Sequence, residues 1–454
     1  MKNEYGYLPS ETPSLGKLLL YALQQVIVMF PATVTVALIT GFQVSTTIFA
    51  SGLATLCFIL ITQRKIPLYY GSSFAYLSAI SAMVMAEGTA DQIASWQATG
   101  ILPTDLISKA QFGIIMSGFV SIAAGLLVHK FGKNAVEKVL PASITGSVSM
   151  VIGLTLAGNA LGDAISPESA PWCIVALITL LSTMIYSRYL KGLLGQLPLL
   201  LGAATGCAVA GVFALFGVNL FRSIPTEALN SLWTLGPFAV PAFSLPKYSW
   251  AALVGIMPIA IATIPESTAH VYQLDLYVQD IAKKKGVTTE RIEDLLDKNL
   301  IGDGMCDMIS GFIGGPAGTN YGENISTMAI TRVFSIPVLM AASIIAMIIS
   351  CFTPLIQGIY AIPLAVIGGL EIYLFGAIAA QGMAIMIDKK VDMFDSKNIA
   401  VIATIVIVGL GGQYAFGGNI PLFGMNVPCV AGAAIAGIIA NALLSIKGKG
   451  VMND

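Results

Sequence analysis

The chain has 454 residues, 56% of them hydrophobic and 10% charged, where soluble domains carry about 25% charged residues. That composition excludes a soluble globular protein and leaves a polytopic membrane protein. The net charge of −1 offers nucleic acid no electrostatic footprint.

The first seventeen residues are polar, with no basic n-region followed by an apolar h-region, so no cleaved signal peptide is expected. Apolar stretches long enough to span or half-span a bilayer then run over 18–39, 45–62, 72–85, 111–128, 140–160, 171–187, 197–217, 249–271, 300–314, 321–332, 335–352, 359–386, 398–414 and 427–446. Of these fourteen, 72–85 and 321–332 are too short to cross alone, and each follows turn or extended residues. With the N-terminus placed in the cytoplasm and the spans alternating, only Lys109, Arg222 and Lys247 of the 23 Lys and Arg fall outside. The positive-inside rule requires an asymmetry of this kind. Both termini are therefore expected in the cytoplasm, and the protein in the cell membrane. The charged stretch 275–299 mixes signs at helical spacing and reads as a solvated surface helix between two spans. The six cysteines lie scattered in apolar stretches with no CxxC pair, as small core residues do.

Seven plus seven spans suggest two halves, and an odd number per half inverts the second in the membrane. Pro141 and Gly146 are echoed by Pro363 and Gly368, each pair near the start of a span. Pro31 and Pro265 are each expected to interrupt an apolar helix. Tyr70-Gly71-Ser72-Ser73 and Tyr321-Gly322-Glu323-Asn324 each open a short span. The fold class expected is all-α and polytopic, a 7+7 inverted repeat with broken helices that meet at mid-membrane.

The chemistry concentrates in two places. Span 8 carries Pro265, Glu266 and His270, and the last two are four residues apart on one helical face. The stretch from Thr319 to Arg332 follows the Gly/Pro-rich run 314–318 and sets Tyr321, Glu323 and Asn324 among apolar neighbours. An ionised carboxylate at the bilayer centre costs roughly 2.5–3.5 kcal/mol on insertion scales. Irregular backbone at that depth needs burial in protein or access to water. Glu323 is therefore expected near the N-terminus of a half-helix in a polar mid-membrane site. Two carboxylates in one low-dielectric pocket compete to stay ionised, so Glu266 and Glu323 can hold and release a proton. They can also accept from the N–H groups of a flat heterocycle. The plainer reading of each is a helix cap or a hydroxyl-bonded side chain. His270 is read as a protonatable group in reach of Glu266 or as a satisfied helix-end histidine, and His129, beside Lys130, as solvated.

Other intramembrane acids are weaker candidates. Asp303 and Asp307 open span 9, and Asp303 fits a cap or a site network equally well. Glu371 reads as a gate or packing element, and spacing alone does not single out Phe74 or Phe375 as stacking plates. No GxSxG, HExxH, Walker or dinucleotide fingerprint occurs, so an enzyme is not expected.

The run Tyr321-Gly322-Glu323-Asn324 through Thr331-Arg332 resembles the tenth-span signature of the nucleobase–ascorbate transporter family, also called nucleobase:cation symporters. Glu266 with His270, the runs 29–33 and 71–75, Thr145-Gly146 and 152–154 also resemble family elements. The resemblance covers nearly the whole chain and is closest to the bacterial uracil members. It implies short antiparallel strands before spans 3 and 10. It implies a core domain from 1–134 and 245–354 and a gate domain from 135–225 and 355–454. By this analogy Glu266 and Glu323 accept hydrogen bonds from the base, and backbone near Tyr321 and Gly322 completes its edge. Phe74 and Phe375 sandwich the ring, and His270 serves proton coupling. The implied activity is uptake of uracil by alternating access, driven by a proton gradient without any cofactor, in a homodimer within the lipid bilayer. Glutamate at 323 favours uracil, since purine members more often carry glutamine there. Ser326 and Pro31 stand where glycine is usual. The alternatives are a xanthine or urate permease of the same family, an anion exchanger or channel on the same fold, and an intramembrane acyl transferase.

Overall fold

The computed structural model describes residues 5–133, 140–223, 234–422 and 425–445. Every apolar stretch named above carries a helix. Among the described residues, nine helices are long and apolar enough to cross a membrane, and shorter apolar ones run over Phe74–Glu87, Ile336–Ser350 and Cys429–Leu444. The expected junctions at 134/135 and 225, and both chain ends, lie outside the described residues.

The first part of the chain forms α1 (Leu15–Thr40), α2 (Val44–Ile61), strand β1 (Tyr70–Ser72), and a 3₁₀ turn (Phe74–Tyr76) leading into α3 (Leu77–Glu87). Then come α4 (Ala90–Thr99), α5 (Thr104–Phe131), α6 (Ala142–Thr155), α7 (Ala157–Ala164), α8 (Ala170–Tyr189) and α9 (Pro198–Leu215). A small hairpin of β2 (Thr234–Leu235) and β3 (Phe238–Ala239) precedes α10 (Trp250–Ile256), α11 (Ala260–Lys285) and α12 (Leu296–Ile313). Strand β4 (Gly318–Asn320) runs into α13 (Gly322–Thr331), followed by α14 (Ile336–Ser350), α15 (Thr353–Tyr360), α16 (Leu364–Asp388) and α17 (Ser396–Phe416). A hairpin of β5 (Asn419–Leu422) and β6 (Met425–Pro428) leads into α18 (Cys429–Leu444).

Two sets of helices pack most closely within themselves. In one, α12 lies along α5, and α14 lies along α1 and α2; in the other, α16 lies along α6, α7 and α8, and α17 along α18. Small residues let the α6 and α16 backbones touch. A Cβ on Gly146 would sit 2.6 Å from the Gly382 carbonyl oxygen, and one on Gly382 2.4 Å from that of Gly146. Close approach of this kind is how membrane helices associate without a hydrophobic driving force between them.

Strands β1 and β4, about 250 residues apart in the chain, pair antiparallel with Tyr70 opposite Asn320, Gly71 opposite Thr319 and Ser72 opposite Gly318. This two-stranded crossing is the extended backbone expected before spans 3 and 10, and its polar groups are satisfied by protein. Tyr321 N donates to Tyr69 O at 2.9 Å, Ser73 N to Ala317 O at 3.0 Å, and Ser51 Oγ to Tyr70 O at 2.7 Å. Gly71 is required by packing, since a Cβ there would lie 2.3 Å from the Tyr321 ring.

Three expectations need correction. Neither Pro31 nor Pro265 breaks its helix; both lie inside continuous α-helix. The interruption in span 8 falls earlier, at a 3₁₀ turn over Met257–Ile259, where Pro258 occupies a first-turn position that needs no N–H donor. Residues 275–299 are not one surface helix. The α11 helix continues to Lys285, Gly286 caps it in the left-handed region, and a 3₁₀ turn at Ile292–Leu295 leads into α12. Asp275 holds this linker by accepting from Arg291 Nε at 2.8 Å and Ile292 N at 2.6 Å. Helix α4 was not foreseen. Its first turn is set by a capping box in which Gln92 N donates to Thr89 Oγ1 at 3.3 Å and Thr89 N donates to Gln92 Oε1 at 3.0 Å.

Candidate functional site

The crossing of β1 and β4 opens onto a cavity of about 300 Å³, at the small end of the range for ligand pockets. Phe74, Glu266, His270, Tyr321, Gly322 and Glu323 all line it. They come from four separate elements: the 3₁₀ turn after β1, α11, the residue after β4, and the first turn of α13. Thr145 and Ser149 of α6 and Leu374 and Gln381 of α16 line the facing side. The cavity therefore lies between the strand crossing with α11 and α13 on one side and the α6–α16 pair on the other.

Each acid is held differently. Glu323 is the second residue of α13, where the helix dipole and free backbone N–H groups favour negative charge. Its side chain is accessible through the cavity. Glu266 projects from the second turn of α11, close enough for the Glu323 charge to act on it. His270 lies one turn further along α11, 9% exposed, with its ring beside Gly322 and the Asn320 backbone. Its Nδ1 and the hydroxyl of Thr319 have no hydrogen-bond partner among the described residues. Both residues line the cavity. Buried polar atoms are nearly always paired, so these two point to a ligand or water in the cavity.

Tyr321 contributes mainly its backbone. Its ring is buried behind β1, with the hydroxyl donating to Ser72 O at 3.0 Å and sharing a 2.9 Å hydrogen bond with Thr33 Oγ1. Of the two expected ring plates, Phe74 borders the cavity and also packs against the apolar layer that contains Phe375. Phe375 is 2% exposed and packs with Val36, Leu77, Leu156 and Leu374 in that layer, beside the cavity. The reason is helical phase. Leu374, Ala377, Ile378, Gln381 and Ile385 form the cavity-facing stripe of α16, and Phe375 points about 100° away from it.

Asp303 and Asp307 occupy mid-helix positions on α12 and are buried, so the cap reading fails. Asp303 accepts from Ser267 Oγ and from Asn320 Nδ2, the latter at 2.9 Å, which ties α11 and α12 to β4. Asp307 accepts from the Tyr70 hydroxyl, from Gly318 N at 2.8 Å and from Ser117 Oγ at 3.4 Å, which clamps both strands to α12. Their spacing of four residues in an apolar helix was the available signal that they share a face. The acceptors on Glu266 and Glu323, the N–H groups at the start of α13 and the Phe74 ring can together bind a flat molecule with alternating N–H and C=O groups along its edge.

Apolar helices enclosing a polar cavity at the mouth of a half-helix define a membrane transporter. The sequence matches the Permease family model Xan_ur_permease over residues 16–418, and the chain belongs to this family, the nucleobase–ascorbate transporters. It is 33% identical over 442 residues to the uracil permease of Bacillus caldolyticus, covering 96% of this chain and 93% of that protein. It is 32% identical over 440 residues to the uracil permease of Bacillus subtilis (strain 168), covering 93% and 92%. Its fold is similar to that of the murine solute carrier 26 family member A9 anion transporter in the inward-facing state, with a TM-score of 0.67 and 13% identity over 98% of this chain and 70% of that one. Family and fold are those of membrane transporters rather than enzymes.

Proposed function

We propose that this protein is a proton-coupled nucleobase importer with uracil as its first substrate. The observation that carries the reading is the convergence of Glu266 and Glu323, from different elements, on one cavity walled by Phe74. The carboxylates accept the N–H groups of the base, the N–H groups at the start of α13 donate to a carbonyl, and Phe74 covers one ring face. A proton taken up by the Glu266, Glu323 and His270 cluster travels with the base.

Residues 1–134 and 245–354 act as a core that moves against a gate of residues 135–225 and 355–454, in a 7+7 arrangement, and the cavity between them faces each side in turn. The face bearing Lys133 and Lys389 is cytoplasmic, the face bearing Arg222 is external, and the protein works as a homodimer. The names of the relatives support uracil over xanthine or urate. An anion carrier is disfavoured because no lysine or arginine is among the described residues lining the cavity.

Uptake of radiolabelled uracil into proteoliposomes tests the reading. Acid outside is expected to drive accumulation, and unlabelled uracil is expected to compete better than xanthine. Uptake indifferent to the gradient would remove the coupling. Full uptake by Glu323→Ala would remove the site.

A further inference from the structure

A second cavity, of about 750 Å³, lies on the other side of the apolar layer that contains Phe375. The two cavities stack along the same helices. On α16, Leu374, Ile378, Gln381 and Ile385 line the first, and Leu364, Ile367 and Glu371 line the second. On the facing helices, Thr145, Ser149 and Ile152 line the first, and Asn159 and Asp163 the second. Only one helical turn, about 5.4 Å, separates Glu371 from Phe375.

Glu371 is 1% exposed, and its Oε2 has no hydrogen-bond partner among the described residues although the residue lines this outer cavity. Its carboxyl lies within hydrogen-bonding reach of the Asp163 carboxyl. The backbone enforces that proximity. A Cβ on Gly368 would sit 2.3 Å from Ala164 N and 2.5 Å from Asp163 C, so α16 presses directly on the end of α7. Trp172 Nε1 donates to Asp163 O at 2.9 Å and fixes the residue further.

Among the described residues, the other charged group acting on the pair is Arg222. Its Nη2 donates to Thr99 O at 3.3 Å, and its own N–H donates to Ala361 O at 3.2 Å. The Tyr360 phenol lies near this guanidinium and accepts from Val44 N at 3.0 Å. One guanidinium cannot neutralise two carboxylates. Two carboxyl groups in contact need a shared proton, donated by one oxygen and accepted by the other.

We propose that Asp163 and Glu371 form a second proton-binding site, loaded from the outer cavity and separate from the Glu266 and Glu323 site. A proton passes from water in that cavity to one carboxylate oxygen and is shared with the other carboxyl. The protonated pair holds α7 against α16, and Arg222 closes the mouth between Thr99 and Asp163. Loss of the proton leaves two like charges in contact, which drives α7 and α16 apart at that end. The inference rests on the proton-coupled reading above and adds to it a second acid site that senses the outer solution.

The test uses Glu371→Gln and Asp163→Asn in the full-length protein. Each keeps the side-chain shape and removes the proton-binding carboxyl. In wild-type protein, infrared difference spectra are expected to show a protonated-carboxyl band that titrates with pH and is absent from both variants. In proteoliposomes both variants are expected to retain uracil counterflow. The outside proton concentration giving half-maximal uptake is expected to change about tenfold, the equivalent of one unit on the pH scale. A wild-type band that does not titrate, or variants with the wild-type pH profile, would make the pair a fixed structural hydrogen bond and overturn the proposal. Should wild-type uptake ignore the gradient, the proton-coupled reading fails by itself, and the infrared titration still decides the proton site. Should one variant fail to fold, the other, altered on the opposite helix, gives the same readout.

Discussion

The two cavities contain the same kind of side chain in opposite circumstances. At the cavity beside the strand crossing, the inner of the two, Glu266 and Glu323 arrive from different elements and border open space. At the outer cavity, Gly368 brings the α7 and α16 backbones together, and the carboxyls of Asp163 and Glu371 meet each other. A carboxylate that faces space can bind a substrate, whereas one pressed against its own kind binds a proton first. A third pair, Asp303 and Asp307, does neither. Their oxygens are occupied by Ser267, Asn320, Tyr70 and Gly318, and they serve to hold the strand crossing in place.

Substitutions should separate these three roles. The largest effect is expected at the inner cavity. A hydrogen bond to a charged group contributes about 1.5–3 kcal/mol, so Glu266→Ala and Glu323→Ala should each lower uracil uptake roughly 10–100-fold while leaving the melting temperature in detergent little changed. Next comes Asp307→Ala. It strands the Tyr70 hydroxyl and the Gly318 N–H in a buried site, at about 1–3 kcal/mol for each unsatisfied group. A clearly lower melting temperature is expected, and Asp307→Asn, which keeps an acceptor, should lose less.

A smaller effect sharpens the contrast between the cavity wall and the apolar layer. Phe74→Leu should weaken uracil binding more than Phe375→Leu, because only Phe74 borders the inner cavity. Equal losses in a binding isotherm would mean that Phe375 reaches the base in another arrangement. The smallest effect is expected at the face opposite Arg222. Lys133 donates to Asp294 at 2.8 Å and holds that carboxyl below the usual carboxylate range. Because the folded-state value is depressed, the pair contributes above the unfolded carboxylate range, and the contribution fades as pH falls through the folded value. Lys133→Ala should therefore lower the melting temperature only slightly at neutral pH, and the difference should vanish in acid.

Much of this was legible in the sequence, for physical reasons. Apolar runs at bilayer length located the helices, because a lipid-facing helix needs little else. The polar residues from Thr319 to Asn324 stood out because charge and irregular backbone are costly at that depth. What escaped depended on side-chain phase and on distant partners. Nothing in the local sequence says that Phe375 turns away from the stripe made by Leu374, Ile378 and Gln381. The partner of Glu371 is Asp163, more than 200 residues away, and no local pattern connects them. The missing N–H of Pro265 predicts an interruption, yet α11 runs through it, and the break falls at Pro258, which suits the first turn of a helix. Helix α4 was missed because its amphipathic, partly polar face lacks the apolar length that marked the others.

The most direct measurement is equilibrium binding of radiolabelled uracil to the purified protein and to its Glu266→Ala and Glu323→Ala variants. Saturable binding by the native protein that is weakened about tenfold or more in both variants is the expected result. Undiminished binding in either variant, or no binding of uracil by the native chain, would contradict it.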